Sequence, residues 1–337
     1  MRLPMRSERL IFALRNASLS LPESGDILVM RPRGSDSLAM LPKARLTIVH
    51  GNRPDYESFA ARGYSVMPAR PAGKRFAAVL VCIPRAKAQA RAMLAEAVAA
   101  ATPQGLIIVD GQKTDGIDSI LRDLRPRLTL SETVSKAHGK LFSFRVGDDT
   151  LSDWASTPQI IEGGFQTLPG VFSADGPDAG SALLAAALPP KLPARIIDLG
   201  AGWGYLSRAI LARTGVKELH LVEAEAAALD CARHNIQDTR AHFHWADATS
   251  FKLDRGVDAV VCNPPFHSGR EPDPLLGVAF VQAAARLLAP HGTLWLVANR
   301  HLPYDRTLAA LFREVEDIGT DARFRLTRAA KLIRQTR

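Results

Sequence analysis

Two short segments in the second half of the chain combine residue types that could do chemistry. The first is Asp198-Leu199-Gly200-Ala201-Gly202-Trp203-Gly204, which follows an apolar stretch. Glycines let a backbone pass close to a ligand and adopt positive φ. The amides that open a following helix can donate to a carboxylate or a phosphate. Glu223 ends the next apolar stretch, where a carboxylate grips ribose hydroxyls in doubly wound sheets. A dinucleotide turn has the spacing G-x-G-x-x-G, because a pyrophosphate must sit against the helix start. Here the spacing is D-x-G-x-G-x-G, and Asp198 would be unhelpful beside a pyrophosphate. It suits a cationic amino acid moiety, faced directly or through water. A turn that binds nothing is the remaining alternative.

The second segment is Val261-Cys262-Asn263-Pro264-Pro265-Phe266-His267, which closes an apolar run. Two consecutive prolines fix φ and end strand pairing, so the backbone there is rigid. The Asn263 amide oxygen and a proline carbonyl can both accept hydrogen bonds from one NH2 group. That would hold the nitrogen lone pair toward an electrophile bound over the glycine turn, a catalysis made largely of positioning. Phe266 offers a face for a planar base. Alone, the segment reads equally well as a strand-ending turn with a buried Phe. About 60 residues after the glycine turn, at the carboxyl edge of the same sheet, it reads as a functional loop. An amino nitrogen that attacks with its lone pair needs no prior deprotonation, so His267 is read as substrate contact or packing, with a proton acceptor as the alternative. No Ser/His/Asp set and no metal-ligand spacing stands out. His242 and His244 read as ordinary residues of a short strand.

These segments need strands and helices to hold them. Residues 195–199, 218–222, 241–245, 257–262 and 293–298 read as strands. Residues 203–213, 224–236, 274–288 and 304–315 have helical periodicity, and 324–333 suggests a last strand. Alternating strand and helix predicts a doubly wound, mostly parallel sheet. The first half carries a fainter copy: strand 76–83, helix 85–101, strand 105–110. Ala78-Val79-Leu80-Val81-Cys82-Ile83-Pro84 parallels Ala259-Val260-Val261-Cys262-Asn263-Pro264, with Ile83 where Asn263 stands. The copy has no glycine-rich turn after its early strand. A duplication is the reading, with the first copy lacking the catalytic apparatus; two unrelated α/β halves are the alternative. The boundary is placed at 150/151, inside a junction from Val146 to about Gly180. Gly163–Gly176 reads as a loop or linker.

Composition bounds the rest. The chain has 337 residues, enough for two domains, and a net charge of +9. Residues 1–150 carry 23 Lys and Arg against 14 Asp and Glu, whereas residues 151–337 carry 20 of each. The excess therefore sits in the first half, which suggests a polyanion partner there; plain solubility is the alternative. Six basic residues and no acid lie between Arg323 and Arg337. No apolar stretch is long enough to span a membrane, and residues 1–20 have no signal-like apolar core. Three scattered cysteines exclude a disulfide framework and fit a reducing cytoplasm. A monomer is the expectation, since nothing points to an oligomer.

The glycine turn resembles motif I of class I methyltransferases, and the Asn263–Phe266 loop resembles the (Asn/Asp)-Pro-Pro-(Phe/Tyr) loop of those that modify exocyclic or amide nitrogens. The match is closer to the RsmC-like guanine-N2 methyltransferases of small-subunit ribosomal RNA. It rests on Leu168-Pro169-Gly170-Val171-Phe172-Ser173-Ala174-Asp175-Gly176, on Asn263-Pro264-Pro265-Phe266-His267, and on Ala298-Asn299-Arg300-His301-Leu302-Pro303-Tyr304. The resemblance implies two tandem Rossmann-like class I methyltransferase domains, α/β in class, with 1–150 degenerate and 151–337 catalytic. It implies S-adenosylmethionine as cofactor and ribosomal RNA or a ribosomal subunit as partner. The cofactor residues it implies are Phe172, Ser173, Asp198, Gly200, Gly202, Gly204, Glu223, Asp247 and Asn263. The catalytic ones are Asn263, Pro264, Pro265 and Phe266. Asp247 would take the adenine amino group, though an Asp at a strand end is commonly a cap. Departures are Trp203, bulky for a glycine turn, and Glu in place of the commoner Asp at 223. The competing readings are a protein glutamine N5-methyltransferase and a non-catalytic RNA-binding assembly factor.

Overall fold

The computed structural model describes residues 5–147, 151–265, 267–268, 271–272 and 274–333. Phe266 lies outside them, and so does the side chain of His267. The chain divides into two compact units, Met1–Thr157 and Pro158–Arg337. The division falls a little past 150 because Leu151 and Trp154 are buried in the core of the first unit.

The first unit runs α1 (Met5–Arg15), β1 (Ile27–Met30), β2 (Leu46–Val49), α2 (Arg53–Ala61), β3 (Val66–Met67), β4 (Phe76–Cys82), α3 (Lys87–Ala100), β5 (Ala101–Gln112), α4 (Ile117–Leu124), β6 (Val134–Lys136) and β7 (Gly139–Arg145). Its seven-stranded sheet has the order β3-β2-β1-β4-β5-β7-β6. The pairs from β3 to β5 are parallel, and β7 and β6 join antiparallel.

The second unit opens with a hairpin, β8 (Gln159–Ile161) and β9 (Phe165–Thr167), then α5 (Ala179–Ala187). It continues β10 (Arg195–Leu199), α6 (Tyr205–Leu211), β11 (Glu218–Glu223), α7 (Ala226–Asn235), β12 (Ala241–Trp245) and β13 (Val257–Cys262). Two short strands, β14 (His267–Ser268) and β15 (Glu271–Pro272), precede α8 (Pro274–Leu287), β16 (Leu288–Asn299), α9 (Asp305–Leu311), β17 (Phe312–Thr320) and β18 (Phe324–Leu332). The sheet order is β12-β11-β10-β13-β16-β18-β17, the same as in the first unit when each is counted from its own first strand. The two-domain, mostly parallel α/β architecture read from the sequence is the one observed.

Strand alternation builds two cores on the second sheet. Ile196 packs with Leu184 and Leu206 on one face, and Ile197 with Phe280 and Val281 on the other. Asp198 shares the face of Ile196, which aims it at α6. β10 and β13 lie in the middle of the sheet, so the glycine turn and the Asn263 loop leave adjacent strands side by side: Leu199 is paired with Cys262.

Three expectations change. The helix expected over 304–315 stops at Leu311, and β17 begins at Phe312. Leu308, Leu311, Phe312 and Val315 are spaced as on a helix. Pairing of Val315 with Ala329 on β18 overrides that local pattern. The segment 163–176 is no mere linker: Phe165 is buried, its ring 4.8 Å from that of Trp203. Burying such a side chain is worth about 1.5–3 kcal/mol, one of the contributions that hold the segment on the turn. Finally, the register moves the pseudo-equivalent of Asn263. Met30 pairs with Val81 as Leu199 pairs with Cys262, so Cys82, not Ile83, stands at the position of Asn263.

Candidate active site

β10 delivers the glycine turn at its carboxyl end. Gly200, Gly202 and Gly204 all take positive φ (83°, 55° and 94°), conformations that cost any other residue strain. Among the described residues, no atom beyond its two chain neighbours lies within 4 Å of where a Gly202 Cβ would stand, so the backbone is open to a ligand. The turn is lashed to the next strand by Glu223. One of its carboxylate oxygens accepts from Gly202 N at 2.8 Å, and the other from Glu225 N at 2.7 Å. Burial raises the Glu223 pKa, against those two hydrogen bonds.

Asp198 is fully buried. Its Oδ2 accepts from Ser207 Oγ at 2.6 Å, and among the described residues its Oδ1 has no hydrogen-bond partner. Burial pushes its pKa up to about 7; the Ser207 hydroxyl opposes this and the Glu223 carboxylate adds to it.

A cavity opens above the turn. Gly200, Ala201, Gly202 and Trp203 form its floor, with Tyr205 and Leu206 of α6 behind them. Phe172 and Ser173 close one side; Asp178, Ser181 and Asn263 close another. Phe172 is 58% exposed, an uncovered aromatic at the rim. Its segment is held at three points. Thr167 Oγ1 donates to Ala174 O, Ser173 Oγ donates to Gly176 O (both 2.7 Å), and Trp203 Nε1 donates to Phe172 O at 2.8 Å. Ser173 takes positive φ, a strained backbone of the kind that collects at ligand sites.

Asn263 reaches the cavity from the end of β13. Its Nδ2 donates to Asp178 Oδ2 at 2.9 Å and to Ser181 Oγ at 2.8 Å. Both amide hydrogens are thus committed, and among the described residues no donor reaches its Oδ1. Pro264 is buried behind it and Pro265 is exposed. Neither proline supplies an N–H, so at these two positions the backbone can only accept.

Three comparisons bear on this arrangement. Residues 162–328 match the model of the methyltransferase small domain family. The chain is 31% identical to the ribosomal RNA small subunit methyltransferase C of Shewanella loihica, over 76% of this chain and 78% of that protein. It is 28% identical to the enzyme of the same name from Serratia proteamaculans, over 73% and 72%. Among solved structures it matches the T. thermophilus 16S rRNA N2 G1207 methyltransferase RsmC, in complex with AdoMet and guanosine. That match has a TM-score of 0.78 and 25% identity, and covers 93% of this chain and 90% of that one.

The chain belongs to the ribosomal RNA small subunit methyltransferase C family.

Members of this family are class I methyltransferases, and S-adenosylmethionine is the cofactor. The residues here fit it on their own evidence. Among the described residues, one Asp198 carboxylate oxygen lies buried without a hydrogen-bond partner at the start of an open glycine turn, and a cationic amino acid moiety bound over that turn would complement its charge.

Of the residues singled out in the sequence, Phe172, Ser173, Gly200, Gly202 and Asn263 line the cavity. Gly204 starts α6 behind it. Asp198, Glu223 and Asp247 do not line it. Asp247 Oδ1 accepts from Thr249 N at 2.8 Å and Thr249 Oγ1 at 2.7 Å, the local cap that an Asp at a strand end commonly makes. Asp178, Ser181, Tyr205 and Leu206 line it and were not foreseen. Asp178 does carry a helix-start signature, and it caps α5 through Ser181 N at 2.8 Å. Its contact with Asn263 spans 85 positions, which no local pattern encodes. Tyr304 is buried in the core, where a Cβ on Gly277 of α8 would fall on its hydroxyl; it is structural.

The corresponding region of the first unit is filled. Arg31, at φ 52°, stands where Gly200 stands. Arg6 and Arg9 enter from α1, and both pair with the buried Asp110 (3.5 and 2.5 Å); Arg6 also reaches Asp36 and Asp115. Burial pushes the Cys82 thiol up to about 12, which leaves it neutral and inert.

Proposed function

We propose that the chain transfers a methyl group to the exocyclic N2 of a guanine in 16S ribosomal RNA, with the second unit catalytic. Bound S-adenosylmethionine supplies an electrophilic methyl on a sulfonium. The chain's own residues do the rest. The turn from Asp198 to Gly204 and the Phe172–Ser173 segment hold the cofactor, Glu223 takes its ribose and Asp247 its adenine amino group. Asn263 Oδ1 and the Pro264 carbonyl accept the two N–H bonds of the guanine amino group. That geometry turns the nitrogen lone pair toward the cavity. It also raises electron density on a nitrogen that amide-like delocalisation leaves a poor nucleophile. The sequence offers Phe266 as the aromatic face for the base. No base need act first, because the proton is lost after the new N–C bond forms.

The single observation that carries this reading is the Asn263 amide. Its hydrogens are spent on Asp178 and Ser181, which leaves an acceptor beside the glycine turn. The guanosine in the solved relative favours a guanine over a glutamine side chain. An assembly factor without catalysis would have no need of that acceptor.

The first unit, with its cavity filled and its excess of Lys and Arg, grips ribosomal RNA phosphates. No helix among the described residues is long and apolar enough to cross a membrane, and all three cysteines are free and buried, which suits work in the cytoplasm.

The test is transfer of labelled methyl to 16S ribosomal RNA by the wild-type chain and by Asn263→Ala. Loss of at least about a hundredfold in kcat is expected. Undiminished transfer by the variant would remove the reading.

A further inference from the structure

We infer that Asp178 sets the direction of the Asn263 amide, and that its negative charge is why the loop begins with Asn and not Asp. The inference rests on the reading of Asn263 given above.

A side-chain amide has two ends, and only one accepts. Catalysis needs the oxygen to face the substrate. An ionised carboxylate accepts and never donates. Asp178 Oδ2, 2.9 Å from Asn263 Nδ2, therefore admits one orientation of the amide and rejects the flipped one, which would set two acceptors face to face. Ser181 Oγ takes the second hydrogen at 2.8 Å, so the NH2 end is fully bound. Charge-assisted hydrogen bonds are the strong ones and hold geometry best.

Asp178 is itself well anchored. The same Oδ2 caps α5 by accepting from Ser181 N, and α5 buries Leu184 in the core of the second unit. The position of a helix start is thus passed to the reacting loop through one oxygen atom. The loop type found in related enzymes admits Asn or Asp at its first place. With a carboxylate at 178, Asp at 263 would put two negative groups at hydrogen-bond distance, and one would have to take up a proton. Asp178 is a positioning residue: it acts on the substrate through Asn263.

The experiment compares single-turnover methyl transfer, KM for S-adenosylmethionine and melting temperature in a set of variants. Asp178→Ser keeps a good helix cap but is too short to reach Asn263. It is expected to lower kcat about a hundredfold with KM changed less than about twofold. Added to Asn263→Ala, the same change should cost nothing more. Asn263→Asp should be as poor as Asp178→Ser. The pair Asp178→Ser with Asn263→Asp should regain at least about tenfold over Asn263→Asp alone, because the opposing carboxylate is gone, Ser still caps α5, and a carboxylate at 263 accepts at either end and needs no orienting.

The inference is overturned if Asp178→Ser keeps kcat within about twofold, or if its loss persists undiminished in the Asn263→Ala background. It is overturned equally if the Asp178→Ser, Asn263→Asp pair gains nothing over Asn263→Asp while melting like the wild type. Should Asp178→Ser fail to fold, Asn263→Asp decides alone: a kcat within about twofold of the wild type overturns the inference. Full activity of Asn263→Ala would instead strike the functional reading, and this inference would go with it.

Discussion

The indole nitrogen of Trp203 donates to the carbonyl oxygen of Phe172 at 2.8 Å. The bulkiest residue of the glycine turn is thereby the fastener of the segment that borders the cavity. Its ring packs edge-on to Phe165 and to Tyr205 (4.8 and 5.7 Å), so it is also the centre of a small aromatic core. Trp203→Phe keeps most of that packing and removes the N–H. We expect KM for S-adenosylmethionine to rise by up to about tenfold, with a smaller change in kcat. Steady-state kinetics checks this. Trp203→Ala should in addition lower the melting temperature, because it opens a cavity.

Cofactor affinity should depend on pH. Burial holds Asp198 protonated up to about pH 7 in the free chain. A nearby cation favours the ionised form, so binding releases a proton. Affinity should therefore rise as pH is raised through 7 and level off above it. Asp198→Asn should flatten the profile and lower the plateau. Calorimetry in buffers of different ionisation enthalpy reads both the affinity and the proton. The sign for folding is opposite to that of an ordinary carboxylate. With its folded pKa above the unfolded value, Asp198 favours the folded state fully below pH 3.8, and that contribution is lost as pH rises through about 7.

In the first unit the Arg9–Asp110 pair is buried, with both side chains at 1% exposure or less. Arg9 also donates to Lys136 O at 2.8 Å, which ties α1 to the β6–β7 hairpin. Removing one partner of such a pair strands the other charge, so Arg9→Ala should cost about 3–5 kcal/mol. Denaturant melts followed in the isolated variant and wild-type chains measure it. No saturable cofactor binding to the first unit is expected from either.

Acid should destabilise the second unit through its histidines. His220 and His244 face each other across β11 and β12, Nδ1 to Nε2 at 3.0 Å, and His242 stacks on His220. Burial lowers both pKa values, that of His244 to about 4, with the neighbouring histidines adding to the shift; Glu218 works the other way on His220. A folded pKa below the unfolded 6.5 means the neutral form is favoured by folding. The stabilisation is present above pH 6.5 and is lost as pH falls from there through about 4. His244→Gln should reduce the difference between melting temperatures at pH 7 and pH 5.

Much of this was legible in the sequence because it is local. The glycine turn, the Asn263 loop and the strands that carry them are written in consecutive residues, and apolar runs such as 257–262 admit few readings. What was hidden depends on distant pairing. Asp178 reads as a cap until the fold brings Asn263 to it. Trp203 reads as an anomaly until the indole finds Phe172 O. The pseudo-equivalence of Cys82 needed the strand register, since aligning the cysteines by eye shifts the match by one position. The strand from Phe312 looked helical because Phe312 and Val315 continue the spacing of Leu308 and Leu311, and only pairing with β18 overrides it.

The central claim is that a guanine amino nitrogen meets the cofactor beside Asn263. The most direct measurement is mass spectrometry of nucleosides from 16S ribosomal RNA that has been incubated with the chain and labelled S-adenosylmethionine. Label in N2-methylguanosine, absent with Asn263→Ala, is the predicted result. Label confined to another base, to a ribose or to protein glutamine would contradict it.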